Sequence, residues 1–122
     1  MKFLTNEATL FFLRQPENLD LWETMAAWLE GHFPEAEMTV QGTQLSFRRR
    51  IGFLFLSLPP KKYGAPCIRV SFGLPHPLEG ERVLASACIS AKRYTHHTLV
   101  RGAEDLDGWL LGCLEEAWEM AR

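Results

Sequence analysis

The sequence predicts an α+β domain: an antiparallel sheet of four to five strands, with two N-terminal helices and one C-terminal helix packed on one face. Two observations carry this. Helix-period segments occupy both ends of the chain and strand-period segments the middle, without βαβ alternation. Charge divides along the same boundaries. Residues 48–101 hold ten Lys and Arg against two acids, Glu79 and Glu81; residues 1–47 hold two basic residues against seven acids, and residues 102–122 one against six. A basic sheet should therefore lie against acidic helices.

The elements follow in order. Residues 5–14 predict a short helix with Leu10, Phe11 and Leu13 apolar. Pro16 suits a first helical position and Gly31 a stop. Between them Leu19, Trp22, Ala26, Leu29 and Phe33 share one face, widened by Leu21 and Trp28. Residues 38–40 and 45–48 alternate as strands. Arg49, Arg50 and Gly52 suit a hairpin tip. Residues 53–58 are apolar on both parities, as a strand covered on both faces would be. Residues 67–72 alternate cleanly, with Ile68, Val70 and Phe72 inward and Arg69 and Ser71 outward. Residues 83–89 form a weaker strand candidate, and residues 94–101 a strand rich in Thr and aromatic residues. The last helix is expected over 104–120, its stripe being Leu106, Leu110, Cys113, Ala117 and Met120. Glu104, Asp105 and Asp107 belong to its first turn, where the helix dipole favours negative charge. Gly108 and Gly112, four apart on one face, suggest a close approach by another element.

The bulk properties narrow the function classes. At 122 residues the length fits one domain, residues 1–122. A domain this long can fold without metal or disulfide. No apolar run reaches a membrane span, and the first residues do not read as a signal peptide. Cys67, Cys88 and Cys113 are odd in number and form no C-x-x-C pair, so buried free thiols in a cytoplasmic protein are expected. The isoelectric point near 6.1 argues against general duplex binding, despite Arg48-Arg49-Arg50.

Parity places Ser46, Arg48, Arg69 and Ser71 on the outward sheet face, together with apolar groups of the central strand. Arginine forks fit carboxylate or phosphate. Arg48 and Arg69 are thus expected to clamp an anionic small molecule or an acidic partner segment, with Ser46, Ser71 and His97 adding hydrogen bonds. The same face would also suit a homodimer interface. Adjacent strand residues point oppositely, so His96 and His97 cannot share a metal. One faces the core side, and Tyr94 shares the face of His96. A hydrolase or transferase using Tyr94, His96 or His97 for acid–base chemistry is the enzymatic alternative. Glu115, Glu116 and Glu119, like the acids at 104–107, read as solvated helix surface rather than metal ligands. No metal or cofactor is expected.

The segments Thr43-Gln44-Leu45-Ser46-Phe47-Arg48, Gly52-Phe53, Arg69-Val70-Ser71-Phe72-Gly73-Leu74-Pro75 and Arg93-Tyr94-Thr95-His96-His97 resemble a bacterial family of domains of unknown function. So does the ending Asp105-Leu106-Asp107, Trp109-Leu110 and Glu116-Ala117. In that family a Tyr/Trp-Thr-His-His strand precedes an acidic helix start. The resemblance spans residues 10–120 or so. It is distantly similar to the YdhG-like group of small α+β proteins, some of which carry an iron-chaperone label that would imply acidic metal-contacting residues. That label is not carried over here. The resemblance implies the α+β architecture and adds weight to Arg48, Arg69 and the Thr-His-His strand. It implies no activity.

Overall fold

The computed structural model describes residues 2–122. Its elements are α1 (Asn6–Phe12), α2 (Leu19–His32), β1 (Glu37–Val40), β2 (Leu45–Arg48), β3 (Gly52–Ser57), β4 (Ile68–Leu74), β5 (Ala85–Ser90), β6 (Arg93–Val100) and α3 (Gly108–Met120). The six strands form one antiparallel sheet in the order β1-β2-β3-β4-β6-β5. The α+β class and the three helices are as expected. The sheet is larger than four to five strands, because both marginal candidates pair. The short segment 37–40 joins β2, and the weak segment 85–90 joins β6 as an edge strand with all six residues exposed.

The register explains where the core sits. One row of direct cross-strand neighbours runs Met38, Phe47, Leu54, Phe72, His96 and Ser86. A parallel row runs Val40, Leu45, Leu56, Val70 and Thr98. Because direct neighbours share a face, these rows make one apolar surface. Helix α3 lies against β3 and β4 on that side, and Trp22 of α2 stacks on Phe12 of α1 beneath it.

Strand β3 corrects the expectation of a strand covered on both faces. The register shifts between Phe47 and Arg48, which pair with Leu54 and Gly52. This bulge gives β3 one extra residue. Phe53 and Leu54 are both buried as a result, Phe53 against Phe33 and Trp118. Only Phe55 of the apolar run reaches the opposite face.

The helix ends follow local chemistry. The Thr5 hydroxyl accepts from Ala8 N–H at 3.1 Å and caps α1. Pro16 opens a 3₁₀ turn that leads straight into α2. Of the expected apolar positions of α1, Phe11 is buried but Leu10 and Leu13 are exposed, and Ala8 and Phe12 are buried instead. Helix α3 starts four residues later than expected. Asp107 caps it by accepting from Leu110 N–H at 3.1 Å, and residues 103–105 form a separate 3₁₀ turn. Arg82, which hydrogen-bonds the Asp107 carboxylate, and the Leu110 amide hold that carboxyl below its usual range.

Gly108 and Gly112 face open space rather than a neighbouring element. Gly112 is exposed within the helix, so Gly112→Ala should stabilise the protein by about 0.5–1 kcal/mol. The thermal midpoint should rise; a fall would mean that the position has a packing partner.

Candidate functional site

The sheet face opposite the helices carries no element. Its central row crosses all six strands: Thr39, Ser46, Phe55, Ser71, His97 and Ala85. Arg48 lies two residues from Ser46 along β2, and Arg69 two residues from Ser71 along β4. All five expected ligand-binding residues, Ser46, Arg48, Arg69, Ser71 and His97, therefore share one face. His97 is the histidine that faces outward.

They do not converge on one point. Strands β2 and β4 run in the same direction, and Arg48 lies beyond the central row in one direction while Arg69 lies beyond it in the other. Two strand spacings and four residue steps put their Cα atoms about 16 Å apart. Phe55 stands between them. A single compact anion held by both forks, as expected from parity alone, does not match this geometry.

Two polar clusters result. In the first, a depression of about 390 Å³ is lined by Thr39, Gln41, Ser46, Arg48, Arg50, Ile51, Gly52 and Phe55. Arg48 and Arg50 both line it. Arg48 also donates to the Arg50 carbonyl at 3.0 Å, and the Ser46 hydroxyl donates to Gln41 Oε1 at 2.7 Å. Gly52 forms part of the floor because the Phe55 ring lies 2.6 Å from where its Cβ would be. In the sequence Arg50 reads as part of a hairpin tip and not as a site residue. Its i, i+2 relation to Arg48 was the available signal. Among the described residues no carboxylate lies within ion-pair distance of Arg48, Arg50 or Arg69. Arg49 behaves differently: it stacks over Trp118 and donates to the Trp118 carbonyl at the end of α3, where the helix dipole favours a cation.

In the second cluster Ser71 Oγ lies 2.6 Å from His97 Nδ1, and Arg69 Nε donates to Ser57 Oγ at 2.9 Å. Burial first, then the charges of Arg69 and His96, hold the His97 pKa below the ordinary 6.5. His97 is thus a neutral hydrogen-bonding group at pH 7. The Ser71 hydroxyl sits on a residue only 7% exposed, and among the described residues no carboxylate orients the imidazole. Because the unfolded chain takes up a proton at His97 that the folded chain refuses, this site contributes full stability above about pH 6.5 and less below it. His76 has the opposite sign. The Pro77 carbonyl and Glu116 raise its pKa, so its contribution is present below about pH 6.5 and lost as pH rises through the higher folded value. With His76 intact, His97→Gln should therefore flatten the loss of stability between about pH 7 and 5, read from urea midpoints. Equal slopes in both proteins would contradict this assignment.

Of the residues expected to do acid–base chemistry, Tyr94 and His96 lie on the other side. His96 is fully buried between Phe72 and Tyr94. Its Nε2 lies 3.0 Å from the His76 carbonyl and its Nδ1 2.7 Å from Ser86 Oγ. A carbonyl only accepts, so Nε2 carries the proton and Nδ1 accepts from the serine. Neither nitrogen is left for a substrate. The Tyr94 phenol is pushed above its ordinary pKa by the neighbouring Cys88 thiol. Cys88 itself is exposed, unlike Cys67 and Cys113, which corrects the expectation of three buried thiols. A second depression of about 330 Å³ contains Arg82 and Arg101, but Asp107 and the Tyr63 carbonyl already hold these side chains. Among the described residues no three His, Cys, Asp or Glu side chains cluster as metal ligands, and no helix is long and apolar enough to cross a membrane.

Comparison with curated proteins and with solved structures returns no match. A family model described as a domain of unknown function, DUF5655, matches residues 9–121. That match spans all nine elements apart from the first turn of α1, and on it the chain belongs to the DUF5655 family.

Proposed function

We propose that this domain is a binding module whose uncovered sheet face holds an acidic segment of a partner. The observation that carries this reading is the depression lined by Arg48 and Arg50 beside Ser46, neither arginine having an ion-pair partner among the described residues. Arg48 and Arg50 act as the primary anion forks. The hydroxyls of Thr39 and Ser46 and the amide of Gln41 supply neutral hydrogen bonds. Arg69, Ser71 and His97 take a second acidic group further along the face. The spacing of about 16 Å between the two clusters favours an extended segment over a small anion, which would occupy one cluster only. Phe55 supplies an apolar contact midway, and aromatic and Arg residues together are common at interface centres.

The test is fluorescence anisotropy with a labelled poly-glutamate peptide and a neutral peptide of equal length. The acidic peptide should bind, and more weakly as salt rises. Charge-assisted hydrogen bonds contribute roughly 1.5–3 kcal/mol each, so Arg48→Ala and Arg50→Ala should each weaken binding by about tenfold or more. Arg69→Ala should weaken the long peptide but leave a single-carboxylate ligand unaffected. Equal affinity of the wild type and the Arg48→Ala/Arg50→Ala double variant would overturn the proposal.

A further inference from the structure

The two edges of the sheet are treated differently by the sequence. Edge strand β1 is four residues long, carries Glu37, and has α1 beside it, with the Arg14 guanidinium donating to the Gly42 carbonyl just beyond. Those are the usual protections against edge-to-edge pairing. Edge strand β5, Ala85-Ser86-Ala87-Cys88-Ile89-Ser90, has none of them. It contains no charge and no proline, all six residues are exposed, and its bulge lies only at its far end, between Cys88 and Ser90. Its outer backbone groups have no neighbouring strand.

Charge flanks this strand with opposite signs. Glu79 and Glu81 precede it, and Lys92 and Arg93 follow it. None of the four has an ion-pair partner among the described residues. An antiparallel match of the strand with itself would bring each acidic flank level with a basic one. We propose that β5 pairs with β5 of a second copy of this chain about a two-fold axis, extending the sheet across both copies.

The axis stands perpendicular to the sheet, so residues placed opposite each other must share a face. A register centred on Ala87 meets this condition. It uses the regular part of the strand, Ser86 to Cys88, and ends before the bulge at Ile89. Ser86 faces Cys88 of the second copy. The turn after Ser90, which carries Lys92, lies at the end of the strand that meets the Glu81 flank of the second copy, twice by symmetry. The small side chains of Ala85, Ser86 and Ala87 allow close approach. This contact uses the sheet edge and leaves the face carrying Arg48 and Arg50 open, so it stands independently of the binding function.

The test is sedimentation of the full chain over a range of concentrations, with thiol cross-linking as a second readout. Cys88 is the only exposed cysteine among the described residues, and this register places the two copies of it about 7–8 Å apart. A short bis-maleimide should therefore link two chains, and Cys88→Ser should abolish the product. Ala87→Lys sets like charges opposite each other on the axis and should weaken the dimer by about tenfold or more, with circular dichroism unchanged. Glu81→Lys and Lys92→Glu should each weaken it, and the two together should restore it. A monomer at every concentration overturns the proposal. So does a dimer indifferent to Ala87→Lys and to the charge exchange, since it would use another surface.

Discussion

Trp22→Ala should lower the unfolding free energy by about 3–5 kcal/mol, a large part of the roughly 5–15 kcal/mol that holds a domain of this kind folded. The indole is fully buried, and its ring stacks on Phe12 with centroids 4.9 Å apart. Truncation removes the contact that ties α2 to α1 and leaves a cavity where the chain is least able to collapse. Trp22→Phe should behave quite differently. The indole Nε1 is buried without a hydrogen-bond partner among the described residues, and a buried donor left unpaired costs roughly 1–3 kcal/mol. Phenylalanine gives up some apolar area but also removes that unpaired donor. Its cost should therefore be far smaller than alanine's. Urea denaturation of both variants decides the matter. Equal losses would show that the indole N–H has an acceptor, such as a buried water.

His96→Ala is expected to cost about 2–4 kcal/mol without altering anion affinity in the folded fraction. The imidazole joins three parts of the protein: β6, the edge strand β5 through Ser86, and the loop at residues 75–77 through the His76 carbonyl. Its loss opens a cavity between Phe72 and Tyr94 and strands that carbonyl. His96→Asn, which keeps polar atoms but shortens the reach, should recover only part of the loss. Denaturation midpoints and peptide anisotropy on the same samples separate this structural role from a chemical one. If affinity fell tenfold while stability held, His96 would have to contact the ligand.

Much of this was legible in the sequence because period and parity are local properties. The alternation of Ile68, Val70 and Phe72 against Arg69 and Ser71 placed β4 correctly, and the same parity put Ser46 and Arg48 on the uncovered face; that His97 rather than His96 joins them follows only from the β4–β6 register. The stripe of α2 held for the same reason. What parity does not carry is distance along the sheet. Arg48 and Arg69 share a face, yet the strand order and register set them at opposite ends of a diagonal. The bulge at β2–β3 was equally hidden. An apolar run such as Phe53-Leu54-Phe55-Leu56 reads the same whether it is covered twice or kinked once. Edge strand β5 looked weak because its small residues carry little strand propensity, and its pairing with β6 comes from neighbours far away in the chain. The late start of α3 depended on a side chain competing with the backbone: Asp107 caps the Leu110 amide, and nothing in the pattern Glu104, Asp105, Asp107 singles it out over the other two acids.

The β2–β3 hairpin also connects two parts of the protein that the sequence separates widely. Arg50 lines the depression on the uncovered face, and its backbone amide donates to the Ala121 carbonyl at 3.1 Å. Its neighbour Arg49 lies over Trp118. A ligand that fixes the Arg50 side chain would thus also hold the residue that latches the end of α3. Thermodynamic reciprocity then requires the converse: a firmly seated helix end presets the anion fork, and a frayed one costs affinity. The last turn of α3 would thus tune the affinity for a ligand through the backbone of Arg50.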